Sequence, residues 1–238
     1  KIPGFRMKRW SLGILLIMAV VWIWAAKKDE RAGVEPEEII PVEHLVLPEE
    51  KKTEKKRIAL TFDDGPHPIY TPQMLELLKE EQVPATFFLL GENVELYGDV
   101  VKEIAKEGHL IGNHTYHHVQ ITSLSLEEAC KEIQETSDLI EELTGTGTEY
   151  VRPPFGTWNE ELEERLNLIP VMWSIDTKDW TTQNVDWIVR ETVKHAEDHD
   201  IILMHDSYQS TVDAVKRVIE QLEAEGFEFV TVDEIIMD

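Results

Sequence analysis

Arg57-Ile58-Ala59-Leu60-Thr61-Phe62-Asp63-Asp64-Gly65-Pro66 runs a short apolar segment straight into two adjacent carboxylates and a Gly-Pro turn. Ile58–Phe62 has the length and β-branched/aromatic content of a buried strand. Two neighbouring carboxylates repel, so a pair at a strand end needs a cation or two separate roles. Asp-Gly is also good turn chemistry, so this cluster taken alone reads equally as a turn or a helix cap.

Downstream, strand-length apolar runs alternate with helical patterns. A helix capped by Thr71-Pro72 is expected through about Gln82, with Leu75, Leu77 and Leu78 inside. Ala85–Leu90 is a second strand, Asp99–Glu107 a helix stopped by Gly108, and His109–Asn113 a third strand. Ser125 and Glu128 form a capping box for a helix to about Leu143. Its apolar stripe of Leu126, Ala129, Cys130, Ile133, Ile140 and Leu143 makes Cys130 a plain core residue. Val171–Asp176, Ile201–His205 and Phe227–Val232 are further strands, separated by helices near Val185–His199 and Thr211–Glu225. Such alternation implies a parallel sheet or barrel, with function at the C-terminal ends of the strands.

Four more reactive clusters follow. His114-Thr-Tyr-His117-His118 places two histidines four apart, and on one helical turn both imidazoles share a face. With Asp64 they make a His2Asp set that leaves a catalytic metal an open position, whereas His117 points elsewhere. Arg152-Pro-Pro-Phe-Gly156 is a rigid turn whose arginine can orient a carboxylate. Asp176-Thr-Lys-Asp179-Trp180 and Leu203-Met-His205-Asp206 each sit at a strand end. Any of the last three alone reads as structure. Five in order, each at the end of an expected strand, read as one site.

The charge is unevenly spread. The chain of 238 residues carries −24 overall, but residues 1–31 hold seven Lys/Arg against two Asp/Glu, while residues 58–238 hold eleven against thirty-eight. An acidic body of this kind excludes nucleic acid as a partner, because phosphate binding needs a basic face. A single cysteine excludes a disulfide framework or a Cys-rich zinc module. Trp10–Ala26 is an uncharged run flanked by Lys and Arg, about 25 Å long as a helix and at the short limit of a bilayer crossing. A cleavage site would want small residues at −1 and −3, yet cleavage after Ala26 or Ala25 leaves Trp24 or Ile23 at −3. An uncleaved signal anchor is therefore expected at 1–28, then a polar linker at 29–56 containing Pro36, Pro41 and Pro48, then a body at 57–238. The basic N-terminal flank predicts the body on the outer face of the cell membrane, single-pass, or secreted if the segment is cleaved.

Thr61-Phe-Asp-Asp-Gly-Pro66, the H-T-x-x-H of His114–His118, R-P-P-F-G, D-T-x-D-W and L-M-H together resemble the five motifs of the NodB-homology polysaccharide deacetylases, carbohydrate esterase family 4. The resemblance covers about 57–238, and within the family it lies closest to membrane-anchored peptidoglycan N-acetylglucosamine deacetylases. It implies an irregular (β/α)7 barrel and one divalent metal ion, Zn2+ first, with Co2+, Ni2+ or Mn2+ able to occupy such a site. It also implies Asp63 as general base, held by Arg152, and Asp64, His114 and His118 as metal ligands. The backbone N–H of Phe155 would help bind the oxyanion, and Asp179 would orient His205, the general acid. Trp180 and Leu203 would line the acetyl pocket, and His67, beside the first motif, is a further pocket candidate. The implied substrate is an acetylated cell-wall polysaccharide, peptidoglycan, acted on by a monomer. Soluble chitooligosaccharides or acetyl-xylan on the same fold, and a glycan-binding module without catalysis, are the alternatives. Val119 departs from a frequent proline and Phe155 from a frequent tyrosine.

Overall fold

The structure, a computed structural model, describes residues 55–237. The expected anchor at 1–28, and all but the last two residues of the linker at 29–56, lie outside the described residues. Among the described residues no helix is long and apolar enough to cross a membrane.

Every strand pairing is parallel. The strands are β1 (Lys56–Gly65), β2 (Thr86–Leu89), β3 (Leu110–Asn113), β4 (Tyr150–Val151), β5 (Ile169–Pro170), β6 (Ile175–Asp176), β7 (Asp200–His205) and β8 (Phe227–Val230). Their order is β5-β4-β3-β2-β1-β7-β6, with β8 also on β1. The long β1 thus has three partners: Lys56–Ala59 pairs with β8, Ile58–Asp63 with β7, and Thr61–Gly65 with β2. Helices cover the outside: α1 (Tyr70–Glu81), α2 (Gly91–Leu96), α3 (Gly98–Lys106), α4 (Leu126–Thr144), α5 (Glu161–Leu166), α6 (Val185–Lys194), α7 (Gln209–Ala224) and α8 (Val232–Ile236). This is the curled βα architecture of the expected (β/α)7 barrel.

The core explains why these segments take these forms. Strand residues Ile58, Leu60 and Phe62 are fully buried against Met74, Leu75 and Leu78 of α1 and Val215, Val218, Ile219 and Leu222 of α7. The helical residues recur every three or four positions, one apolar stripe per helix. Each such side chain contributes about 1.5–3 kcal/mol by leaving water. The Ser125–Glu128 capping box is present in both directions and opens α4, whose left-handed C-cap is Gly145. Cys130 is a half-buried thiol packed on the cluster of Ile121, Ala129, Ile133 and Val151.

Four local expectations need correction. Val171–Asp176 is not one strand: β5 lies on β4, β6 lies on β7, and residues 171–174 connect them. The carbonyls of Val171 and Met172 there accept from the Arg152 guanidinium at 3.1 and 3.2 Å, so they are withdrawn from any ladder. The chain itself therefore links the two edges of the sheet. Thr71 does not cap α1, whose N-cap is Ile69; its hydroxyl instead donates to Asp206 and accepts from the N–H of His67. Helix α6 ends at Lys194 rather than His199, because Asp198 and His199 hydrogen-bond the backbone of Arg57 at 2.7 Å each. His114–His118 is not a helical turn but a loop in which Thr115 and His118 take left-handed φ of 68° and 53°. β4 and the short helices α2, α5 and α8 lacked a period long enough to announce them.

Candidate active site

All five reactive clusters meet at the C-terminal end of the sheet. Asp63 and His205 are register partners on the adjacent strands β1 and β7. His114 directly follows β3, Arg152 directly follows β4, and Asp179 opens a turn three residues after β6. Successive side chains of a strand alternate between faces. Asp63 and Asp64 both reach one cleft only because the ladder shifts register between Asp63 and Gly65 and Asp64 takes a left-handed φ of 69°. The cleft encloses about 350 Å3 and is lined by both aspartates, His114, His118, Phe155, Trp180, Leu203 and His205.

Arg152 is the hub of one wall. It is fully buried, and its Nη1 donates to Asp63 Oδ1 at 2.8 Å and to Thr61 Oγ1 at 2.6 Å. Its guanidinium lies 4.2 Å over the Phe88 ring, a cation–π contact. Burial disfavours the arginine's charge, and the Asp63 carboxylate opposes that effect. Asp63 is thereby fixed by a buried charge-assisted bond.

Asp179 organises the other half of this wall. Its carboxylate, 2% exposed as a residue, accepts from the N–H groups of Trp180 and His205 at 3.0 and 2.8 Å and from Thr211 Oγ1 at 2.7 Å. Its Oδ1 also lies 2.8 Å from His205 Nδ1, which makes that nitrogen a donor and aims Nε2 into the cleft. Burial pushes the His205 pKa down, but the hydrogen bond and charge of Asp179, with Asp63 and Asp64, raise it to about 9. His205 is therefore an imidazolium at neutral pH, able to donate a proton from Nε2.

The facing wall has a different chemistry. His114 Nδ1 lies 2.6 Å from the carbonyl of Arg152, an acceptor only, so Nδ1 carries a proton and Nε2 is the ring nitrogen turned toward Asp64. That Nε2 stands 3.4 Å from Asp64 Oδ1, and His118 Nε2 stands 3.5 Å from the same oxygen. Asp64 Oδ1 is buried without a hydrogen-bond partner. Burial lowers the His118 pKa, with Asp64 opposing. For Asp64 burial acts upward but is outweighed by His114, His205 and His118, which leave its pKa below the usual value. The three ligand atoms lie within 4.8 Å of one another. Acceptors converging on an orphaned carboxylate oxygen suit a divalent cation, and His2Asp leaves an open coordination position.

The sequence-expected residues otherwise divide. Trp180 and Phe155 are 57% and 65% exposed at the rim, Leu203 is buried in the wall, and the ring of Phe155 meets that of His118 edge-on at 4.9 Å. Phe155 takes a left-handed φ of 61° between Pro154 and Gly156. His67 is not among the lining residues: its Nδ1 accepts from the N–H groups of Ile69 and Tyr70, and its ring stacks on Tyr70. Sequence reasoning missed Trp173 and Tyr208, which also line the cleft, and gave no role to Asp206, the last residue of the fifth cluster. Asp206 is fully buried, with its pKa raised to about 7 by desolvation, and its carboxylate leaves no room for a Cβ on Gly65.

Comparison with known proteins agrees with this geometry. The family described as "Polysaccharide deacetylase" matches residues 50–172. The peptidoglycan-N-acetylmuramic acid deacetylase PdaC of Bacillus subtilis is 40% identical over 195 residues, 81% of this chain and 42% of PdaC. The chain thus spans about two fifths of that relative's length. A peptidoglycan-N-acetylglucosamine deacetylase of Bacillus cereus is 41% identical over 187 residues, covering 74% of this chain and 67% of the relative. The solved structure of PdaC from Bacillus subtilis superposes with a TM-score of 0.74 at 40% identity, over 77% of this chain and 91% of that one.

Proposed function

This chain belongs to the polysaccharide deacetylase family, and from that membership we propose that it hydrolyses the N-acetyl group of N-acetylglucosamine residues in peptidoglycan, releasing acetate and leaving a free amine. The observation that carries the reading is the pairing of Asp63 with His205 on neighbouring strands, beside a His2Asp triad.

A divalent cation held by Asp64, His114 and His118 would supply Lewis-acid polarisation of the amide carbonyl and make water a better nucleophile. Zinc suits this donor set, and cobalt, nickel or manganese can occupy it. The protein's own groups do the rest. Asp63, held by Arg152, accepts a proton from the attacking water. The Phe155 backbone N–H stabilises the oxyanion, preorganised by its left-handed turn. His205 Nε2 gives its proton to the departing nitrogen, so the C–N bond breaks to an amine and not to an amide anion. Asp179 keeps the imidazole charged until that transfer. Leu203 and Trp180 form the apolar wall for the acetyl methyl.

The uncharged run at 10–26 supports a membrane anchor with the catalytic body outside the cell, working as a monomer on the wall beside it. The test is incubation of the full chain with peptidoglycan, chitooligosaccharides and acetyl-xylan, scoring free amine and acetate by mass spectrometry. Chelator-sensitive amine on the glucosamine of peptidoglycan is expected. Amine on the muramic residue alone, or turnover of the soluble substrates only, would replace the substrate named here, and no acetate from any polymer would overturn the activity.

A further inference from the structure

His114 and His118 flank a three-residue loop that belongs to no ladder, and two of the five residues 114–118 hold left-handed φ. Such a loop keeps one shape only when its surroundings dictate it. On one side lies the start of α2: Gly91 N–H donates to Thr115 O at 3.0 Å and Glu92 N–H to Tyr116 O at 3.2 Å. A Cβ on Gly91 would fall 2.4 Å from the Tyr116 ring, so glycine permits this approach. On the other side lies Glu132 of α4. Its Oε2 accepts from Tyr116 N–H at 3.2 Å and His117 N–H at 3.0 Å, and its Oε1 lies 2.8 Å from His117 Nδ1.

We propose that Glu132 is a positioning residue for the metal site: by pinning the loop between His114 and His118 it sets the affinity of the triad for a divalent cation. The argument rests on reading Asp64, His114 and His118 as metal ligands. The Thr115 and Tyr116 carbonyls are held by α2, and the Thr115 N–H by Asn113 Oδ1 at 2.8 Å, whatever stands at position 132, but the N–H groups of Tyr116 and His117 are held by this carboxylate. Without it those donors turn to water and the two imidazoles lose their fixed separation. Groups that orient ligands in this way typically govern about 10–100-fold in metal affinity.

The experiment is titration of the chelator-stripped full chain with Zn2+ alone by calorimetry, alongside Tm, kcat and KM of the reloaded protein. Glu132→Ala is expected to raise the Zn2+ Kd by about 10–100-fold, with Tm of the metal-free chain little changed and KM moving less than kcat. Glu132→Gln retains an oxygen for the loop N–H groups and is expected to recover most of the affinity. Glu132→Asp, one methylene short, is expected to weaken Zn2+ as alanine does, and serves if the alanine variant does not fold. Glu135→Ala, exposed on the same helix, is the control and should leave Kd unchanged. Unaltered Zn2+ affinity in Glu132→Ala or Glu132→Asp overturns the inference, as does a loss in Glu132→Gln matched by a fall in Tm. A wild-type chain that binds no Zn2+, Co2+, Ni2+ or Mn2+ overturns instead the metal reading on which it rests.

Discussion

The two walls of the cleft are built from the same residue types and held in opposite ways. On the β1–β7 wall, Asp63 meets Arg152 at 2.8 Å and His205 meets Asp179 at 2.8 Å, so each charge has a close partner of opposite sign. On the facing wall, Asp64, also from β1, comes no nearer than 3.4 Å to the imidazoles of His114 and His118 that follow β3, and keeps an oxygen with no hydrogen bond. The first wall is complete as folded. The second keeps a buried carboxylate oxygen without a hydrogen-bond partner beside two histidines, as a cation site would. A group that must move a proton is best held by fixed partners, whereas a ligand's lone pair must be left free. On the proposed mechanism, that division separates the base and acid from the ligands more clearly than residue type does.

The largest break in this comparison is Arg152→Met. Removing one partner of a buried charge pair costs roughly 3–5 kcal/mol, and the urea midpoint should fall accordingly. A change below about 1 kcal/mol, the range of an exposed pair, would mean that the first wall does not hold itself together. The second wall should respond to metal instead. Adding free Zn2+ to the stripped chain at a hundred times its Kd should stabilise it by about 2.7 kcal/mol, read as a rise in Tm that EDTA reverses. No metal-dependent shift would erase the contrast.

The third effect is on a titration. With His205 raised to about 9, its pairing stabilises the folded chain fully below the unfolded value near 6.5 and is lost as pH rises through about 9. The alkaline limb of kcat/KM should follow the same titration. Asp179→Asn should bring that limb down toward the ordinary histidine value, by about two units. A limb that stays in place would deny Asp179 its electrostatic role.

Much of this was legible beforehand because it is local. Each of the five clusters is a short run, and the alternation of strands with helices places runs of that kind on one end of a parallel sheet. The rest depends on contacts between distant segments. The spacing of His114 and His118 fits a helical turn, and nothing within those five residues reveals that Glu132 and Gly91 impose a loop. The same holds for Trp173, which lies where the expected strand 171–176 is pulled apart by Arg152. Asp206 follows a motif residue and was visible, yet its depth depends on Gly65 and Thr71. His67 was singled out by adjacency alone, and its ring turns instead to its own loop. β4 carries Arg152 to the site on a strand of two residues, too short for any period to declare.

The three partners of β1 carry a consequence for the order in which the protein comes into being. This strand is the first described element to be synthesised, yet it is completed by β7 and β8, and Lys56 waits for Phe227. Pairing over such separations is slow, since the chain must close a long loop before any contact rewards it. Asp63 and His205 face each other across that seam, so the proposed base and acid cannot come together before the last quarter of the body is made. Until β7 and β8 are made, the β1 edge they cover lacks its partners, and an uncovered strand edge of this kind is prone to aggregation.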